Sequence, residues 1–207
     1  MALEKTNQEV AVIKTIRLPK KVVQAIEKIA FMENKKFNNI VNEELLKFVN
    51  YVYKLRKISS SEIIISSRFF ALFIELLSDD LNKIKELFYN YGKQWGKEYL
   101  ILWNNNENKL NINFKSFLNL ITVTSNYSNL FKLNIEYEDN DNTLTLILHH
   151  NYNIKYSAAL AGYYLGILEH IKSVEKISDI KVDIAENSVI FTITFYLQKP
   201  SVYEIGS

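Results

Sequence analysis

A chain of 207 residues, 48% hydrophobic and 23% charged, is long enough for one or two domains with cores of their own. It holds no cysteine, which excludes a disulfide framework, a thiolate nucleophile and a thiolate metal site, and no apolar run approaches the ~18 residues of a membrane span. The net charge of +2 conceals an asymmetry: residues 1–60 hold 12 Lys and Arg against 6 Asp and Glu, and residues 61–207 hold 13 against 17. The surplus of basic residues points to an anionic partner for the first part alone.

Residues 12–18, "VIKTIRL", alternate in polarity and are β-branched, which predicts a short strand. No second strand follows within forty residues, so its backbone groups need a partner from elsewhere. Pro19 suits the first turn of a helix. From Lys20 to about Glu33, Val22, Val23, Ile26, Ile29 and Ala30 recur at helical spacing. "ENKKFNN" breaks that pattern, and a second helix is predicted from Phe37 to about Lys57, with Val41, Leu45, Leu46, Val49 and Val52 on one face. The polar "ISSSE", 58–62, reads as a linker between a domain at 1–57 and another at 63–200.

The second part reads as mixed α and β. "EIIISSRF" predicts a strand leading into a helix near Phe70–Leu77. A long helix is predicted from Asp80 to about Trp103, with Ile84, Leu87, Phe88, Tyr91, Trp95, Tyr99 and Leu102 as its apolar stripe. After an Asn-rich loop, "FKSFLNLITV" predicts a helix. "FKLNIEYE" and "TLTLILHH" flank "DNDN" and predict a hairpin. A helix from about Lys155 to Lys172 and a second hairpin, turning at Glu186 and Asn187, complete an α+β chain.

The order "KTIRLPKKVVQAIEKIA" then "MENKKFNNIVNEELLKFV" resembles the ribbon-helix-helix family of DNA-binding proteins. In that family the lone strand pairs antiparallel with the same strand of a second subunit, and the resulting ribbon enters the major groove. Alternation places Ile16 and Leu18 on one face and Ile13, Thr15 and Arg17 on the other. The resemblance implies that Ile13, Thr15 and Arg17 read bases: Arg17 at guanine O6 and N7, Thr15 at a base edge, Ile13 at a thymine methyl. It also implies phosphate contacts from Lys35 and Lys36 and from the backbone N–H groups of Phe37 and Asn38 at the start of the second helix. Asn34 stands where the family usually has glycine, and tolerates the same left-handed geometry. The cap position falls near Lys36 rather than on a Ser or Thr.

Four of the five glycines, Gly92, Gly96, Gly162 and Gly166, fall inside predicted helices. Each costs about 1 kcal/mol against alanine there, which predicts close packing or a nearby ligand. "IKELFYNYGKQWGKEYL", then "YSAALAGYYLGILEHI" with a final hairpin ending "VIFTITF", resembles the vinyl-4-reductase-like (4VR) domain shared with transport-particle subunits and small-molecule sensors. The resemblance implies an apolar pocket, for which Trp95, Tyr99, Tyr163 and Tyr164 are the candidates. Many such domains bind zinc through cysteines near the final hairpin. None stands there, so no metal is expected.

His149, His150 and His170 carry no supporting carboxylate pattern and read as surface or packing residues. No nucleophile elbow, HExxH or phosphate-binding glycine loop occurs, so neither catalytic residue nor cofactor is expected. The expectation is a cytoplasmic, nucleoid-associated, homodimeric regulator of transcription that binds double-stranded DNA through its first domain. Its second domain senses a small apolar or aromatic effector, with no membrane partner. The alternatives are a scaffold whose second domain oligomerises DNA-binding arms, or an antitoxin-like autorepressor. Lysine-, isoleucine- and asparagine-rich usage fits an A/T-rich genome, such as an archaeal one.

Overall fold

The computed structural model describes residues 14–57, 65–104, 112–138, 142–172 and 174–196. The chain divides into two compact units, Met1–Leu46 and Lys47–Ser207. The expected boundary at 57 thus moves forward, because Tyr51 and Leu55 pack against the core of the second unit. The linker expected at 58–62 lies outside the described residues.

In the first unit, α1 spans Lys20–Met32 and α2 spans Phe37–Lys47. Pro19 stands just before α1, and its carbonyl accepts from the N–H groups of Val22 and Val23. Asn34, at φ 52°, turns the chain after α1. The Lys35 N–H reaches the Ala30 carbonyl at 2.8 Å and the Asn34 N–H that of Phe31 at 3.2 Å, the paired bonds by which a left-handed residue closes a helix. Residues 14–18 form no strand within this single chain; the strand expected at 12–18 is one paired with a second copy, and its first two residues lie outside the described ones.

The second unit opens with a π-helical turn, Phe48–Val52, and a short α3, Tyr53–Leu55. The second helix expected to run to Lys57 therefore changes its winding at Phe48. Ile65 and Ser66 are not in a strand. Ser66 caps α4 (Ser67–Glu75) by accepting from the Phe69 N–H. Asp80 caps α5 (Leu81–Leu102) through the N–H groups of Asn82 and Lys83. Asn113 does the same for α6 (Phe114–Ser128), and Asn153 for α7 (Ile154–Leu168). Each cap satisfies N–H groups that a helix start leaves unpaired.

Strands β1 (Lys132–Glu138), β2 (Thr143–His149), β3 (Ile177–Ala185) and β4 (Ser188–Phe195) form one antiparallel sheet in the order β1-β2-β4-β3. Both predicted hairpins are present, and β2 joins them by pairing with β4. Register sets Leu144 opposite Ile193, Leu146 opposite Phe191 and Leu148 opposite Val189, and all six are buried. The alternate positions carry Thr143, Thr145, Thr192 and Thr194, which keep partial exposure. One face of the sheet is therefore the floor of the core, with α7 packed on β3 and β4 and α6 on β1. This places the unit in the α+β class. Among the described residues no helix is long and apolar enough to cross a membrane.

Helix α5 lies on α7 with almost nothing between the backbones. A Cβ built on Gly92 falls on the Tyr163 carbonyl, one on Gly162 on the Lys85 carbonyl, and one on Gly166 on the Tyr89 carbonyl. The predicted cause for these glycines, close packing, is met. The stripe predicted for α5 is only partly buried: Leu87, Tyr91 and Trp95 face solvent, while Ile84, Gly92, Gly96 and Leu100 face inward. Backbone contact requires the smallest residues, so the glycines rather than the large apolar residues choose the inner face.

Candidate functional site

Two regions hold the residues singled out in the sequence, one in each unit. In the first, Thr15 and Arg17 are exposed, and Ile13 lies outside the described residues. Ile16 and Leu18, on the alternate face, line a groove of about 560 Å³ with Ile26, Ile29, Ile40, Val41 and Leu45, and Glu33, Glu43 and Glu44 line it too. Of the described residues of this unit only Ala30 is buried. Ile16 is 60% exposed and Leu45 53%. Among the described residues, the two helices and the segment before them bury one side chain and leave most of their apolar side chains in the open.

Lys36 takes the cap position of α2, its carbonyl accepting from Asn39 and Ile40, and its side chain is exposed, as is that of Asn38; Phe37 is half-buried. Lys35 differs from its neighbour. Its ammonium sits 2.8 Å from a Glu43 carboxylate oxygen and 3.1 Å from one of Glu33, and these bonds raise its pKa. Lys35 can meet a phosphate only by leaving two carboxylates, whereas Lys36 has no such ion pair among the described residues.

In the second unit a cavity of about 350 Å³ opens between α3, α4, α5, α6 and α7. Tyr99, Tyr163 and Tyr164, three of the candidates that the 4VR resemblance implied, are among its lining residues. Trp95 does not, because it lies on the outer face of α5. The sequence reading missed Tyr51, Leu55, Phe70 and Tyr156, four further lining residues that sit far away in the chain. The rings interlock: Tyr163 lies 5.0 Å from Tyr164 and 6.4 Å from Tyr99, and Tyr51 lies 6.4 Å from Trp103.

Among the described residues, no Asp, Glu, Lys, Arg or His lines this cavity. Burial pushes the hydroxyls of Tyr99, Tyr156, Tyr163 and Tyr164 above the ordinary phenol range, so they stay neutral donors at any physiological pH. Trp103 is 1% exposed, and its indole N–H is one of two buried side-chain polar atoms without a partner among the described residues, with Thr122 Oγ1. Such an orphan donor is costly. The chemistry of the cavity is therefore that of an uncharged guest, since a bare charge in it has nothing to replace its water.

His150 and Ser157 stand 2.8 Å apart, the spacing of a nucleophile and its base, but the polarity is wrong for that work. The Tyr152 N–H donates to His150 Nδ1, which leaves Nε2 as the ring's donor, and Ser157 donates to the Ala185 carbonyl. Tyr152, His150, Ser157 and Ala185 thus form one continuous structural chain of hydrogen bonds. His170 likewise packs against α5, with Nε2 2.8 Å from the Lys93 carbonyl. Among the described residues no group of three or more His, Asp or Glu is placed to hold a metal ion.

Burial lowers the His150 pKa from 6.5 to about 4, and a protonated ring also loses its acceptor for Tyr152. Its stabilising contribution is thus complete above pH 6.5 and is lost as pH falls through about 4. A shift of that size corresponds to roughly 3 kcal/mol. The urea midpoint is expected to drop across this window, and His150→Gln to flatten the drop. An unchanged slope in that variant assigns the acid sensitivity to other groups.

No family profile, no curated protein and no solved structure matches the chain.

Proposed function

We propose that the protein is a homodimeric, sequence-specific DNA-binding regulator whose first unit is a ribbon-helix-helix arm and whose second unit is a 4VR-like sensor. The observation that carries the reading is how little of the first unit's apolar surface is buried among its described residues. A basic segment with alternating polarity and no strand pairing, beside a groove lined mainly by aliphatic side chains, is completed by a second copy of itself. Pairing residues 12–18 with the same segment of that copy buries Ile16 and Leu18 over the groove. Thr15 and Arg17 are then displayed together on the outer face of a two-stranded ribbon. That ribbon has the width for a major groove.

The effector in this reading is an uncharged apolar or aromatic molecule held by the tyrosine-lined cavity, with an acceptor group available to the Trp103 N–H. The first wall residue, Tyr51, follows the end of α2 by only four residues, Lys47 to Tyr51. An effector alters DNA affinity through its different affinities for the two states of the chain, and typical couplings amount to about 1–3 kcal/mol.

The test is selection of genomic fragments by the full chain, followed by titration of variants on the selected site at fixed salt. Arg17→Ala is expected to lose roughly 1–3 kcal/mol on the cognate site and to relax preference at one base pair. Lys36→Ala is expected to weaken all DNA alike and to reduce the salt slope by about 1. Uniform weak binding without a selected motif removes the sequence-specific reading, and unchanged preference in Arg17→Ala removes the assignment of the base-reading face.

A further inference from the structure

The helices that wall the cavity of the second unit are held in place unequally. Helices α5 and α7 meet backbone to backbone at Gly92, Gly162 and Gly166, and α6 buries Phe114, Phe117, Leu118, Leu120 and Ile121. Helix α4 reaches the same cavity through Phe70, yet of its nine residues it buries Ile74 alone. Phe70 adds edge-on ring contacts with Tyr152 and Tyr156, at 5.2 and 5.8 Å between centroids. A polar hold comes from the start of α7. Lys155 Nζ donates to the carbonyls of Glu75 and Leu77 at 3.1 and 2.9 Å, and lies 2.7 Å from an Asp79 carboxylate oxygen. Asn153 Nδ2 donates to the Glu75 carboxylate. A lysine so placed binds carbonyls that the last turn of a helix leaves unpaired, which makes Lys155 a clamp on the end of α4.

We infer that α4 is the lid of this cavity, with Phe70 as its plug and Lys155 as the clamp that sets how often it lifts. Segments with few buried apolar contacts open at a free energy below that of global unfolding, and lids are drawn from such segments. Phe70, Tyr156 and Ala159 line the cavity together, so raising Phe70 uncovers α7 where Tyr156 is 5% and Ala159 2% exposed. Helices α5 and α7 cannot part to admit a guest without breaking their backbone contact. Lys155 is a positioning residue in this device, since it binds the end of α4 and does not line the cavity. The lid gives the uncharged guest assigned to the cavity its route of entry, and it operates whatever the first unit binds.

The chain holds no cysteine, so a single introduced thiol reports the opening. Ala159→Cys in the full-length protein places that thiol in the cavity wall. Ala158→Cys and Ala161→Cys are the controls, fully buried on the same helix and not part of the cavity lining, so they react when the whole unit unfolds. Rates with dithiobis(nitrobenzoate) in native buffer are divided by those of the same chains unfolded in urea. Ala159→Cys is expected to react about tenfold faster than either control or more, because local opening is more frequent than global unfolding. Adding Lys155→Met or Phe70→Ala is expected to speed Ala159→Cys severalfold. Adding Val189→Ala, a fully buried position on β4, is expected to speed the controls and leave Ala159→Cys unchanged. Equal rates at the three positions, or a Val189→Ala effect shared by all three, overturn the lid, because the cavity then opens with the whole unit. Fast labelling of Ala159→Cys that neither Lys155→Met nor Phe70→Ala changes also overturns it, and assigns entry to the half-exposed Tyr91 side. None of these readouts uses DNA, so they are judged apart from the Arg17→Ala titrations.

Discussion

Gly162→Ala is expected to destabilise the second unit, reversing the usual sign of a glycine-to-alanine change in a helix. An ordinary mid-helix glycine gains about 1 kcal/mol on becoming alanine. At Gly162 the new methyl group falls on the Lys85 carbonyl and lies 2.9 Å from both the Lys85 carbonyl carbon and the Tyr89 nitrogen. Backbone atoms in a packed helix cannot rotate away, so the pair α5–α7 must separate. Overpacking of this kind costs about 1–3 kcal/mol or more, which for a unit of this size lowers Tm by roughly 2–12 °C. Gly162→Leu is expected to abolish the cooperative melt of the unit. Gly96→Ala is the internal comparison: its Cβ lies 3.0–3.1 Å from the His170 ring and from Ile167, where side chains supply part of the contact and can yield. Calorimetry that ranks Gly96→Ala as worse than Gly162→Ala, or finds Gly162→Ala stabilising, refutes backbone contact as the reason for these glycines.

Ile16→Asp is expected to cost at least a hundredfold in affinity for the selected DNA site. The size of this effect discriminates sharply. In the single chain Ile16 is 60% exposed, and a substitution at a side chain that remains in water changes stability by less than about 0.5 kcal/mol. If two copies close the groove of Ile26, Ile29, Ile40 and Leu45 over Ile16, the aspartate is an unpaired charge in a shared core, worth about 3–5 kcal/mol. The arms then separate, and neither displays a ribbon. Ile16→Val, which keeps the apolar contact, is expected to stay within a few fold of the natural chain. Fluorescence anisotropy at fixed salt reads all three proteins. An Ile16→Asp chain that binds DNA normally leaves the groove without its partner strand and removes the homodimeric arm.

Elements whose signals are local could be read from the residues alone. Both hairpins were legible because alternation has a period of two and Asn142 or Glu186–Asn187 supplies the turn between the runs. The long helix was legible from its length and from Asp80 at its start, and the turn at Asn34 from the one non-glycine residue that most readily accepts a left-handed backbone. Tyr99, Tyr163 and Tyr164 enter as cavity residues only through the 4VR resemblance, since an aromatic at helical spacing reads equally as core. Tertiary structure alone decided which way α5 faces. Hydrophobic spacing favoured Leu87, Tyr91 and Trp95 as the inner stripe, but the contact with α7 is backbone to backbone, and only Gly92 and Gly96 fit it. It also decided that Tyr51 and Leu55 belong to the second unit's cavity, since their helical spacing is the same whichever unit they pack on. The strand expected at residues 12–18 differs in kind: its alternation is written in the chain, but a strand's hydrogen bonds come from its partner, and within the single chain residues 14–18 form none.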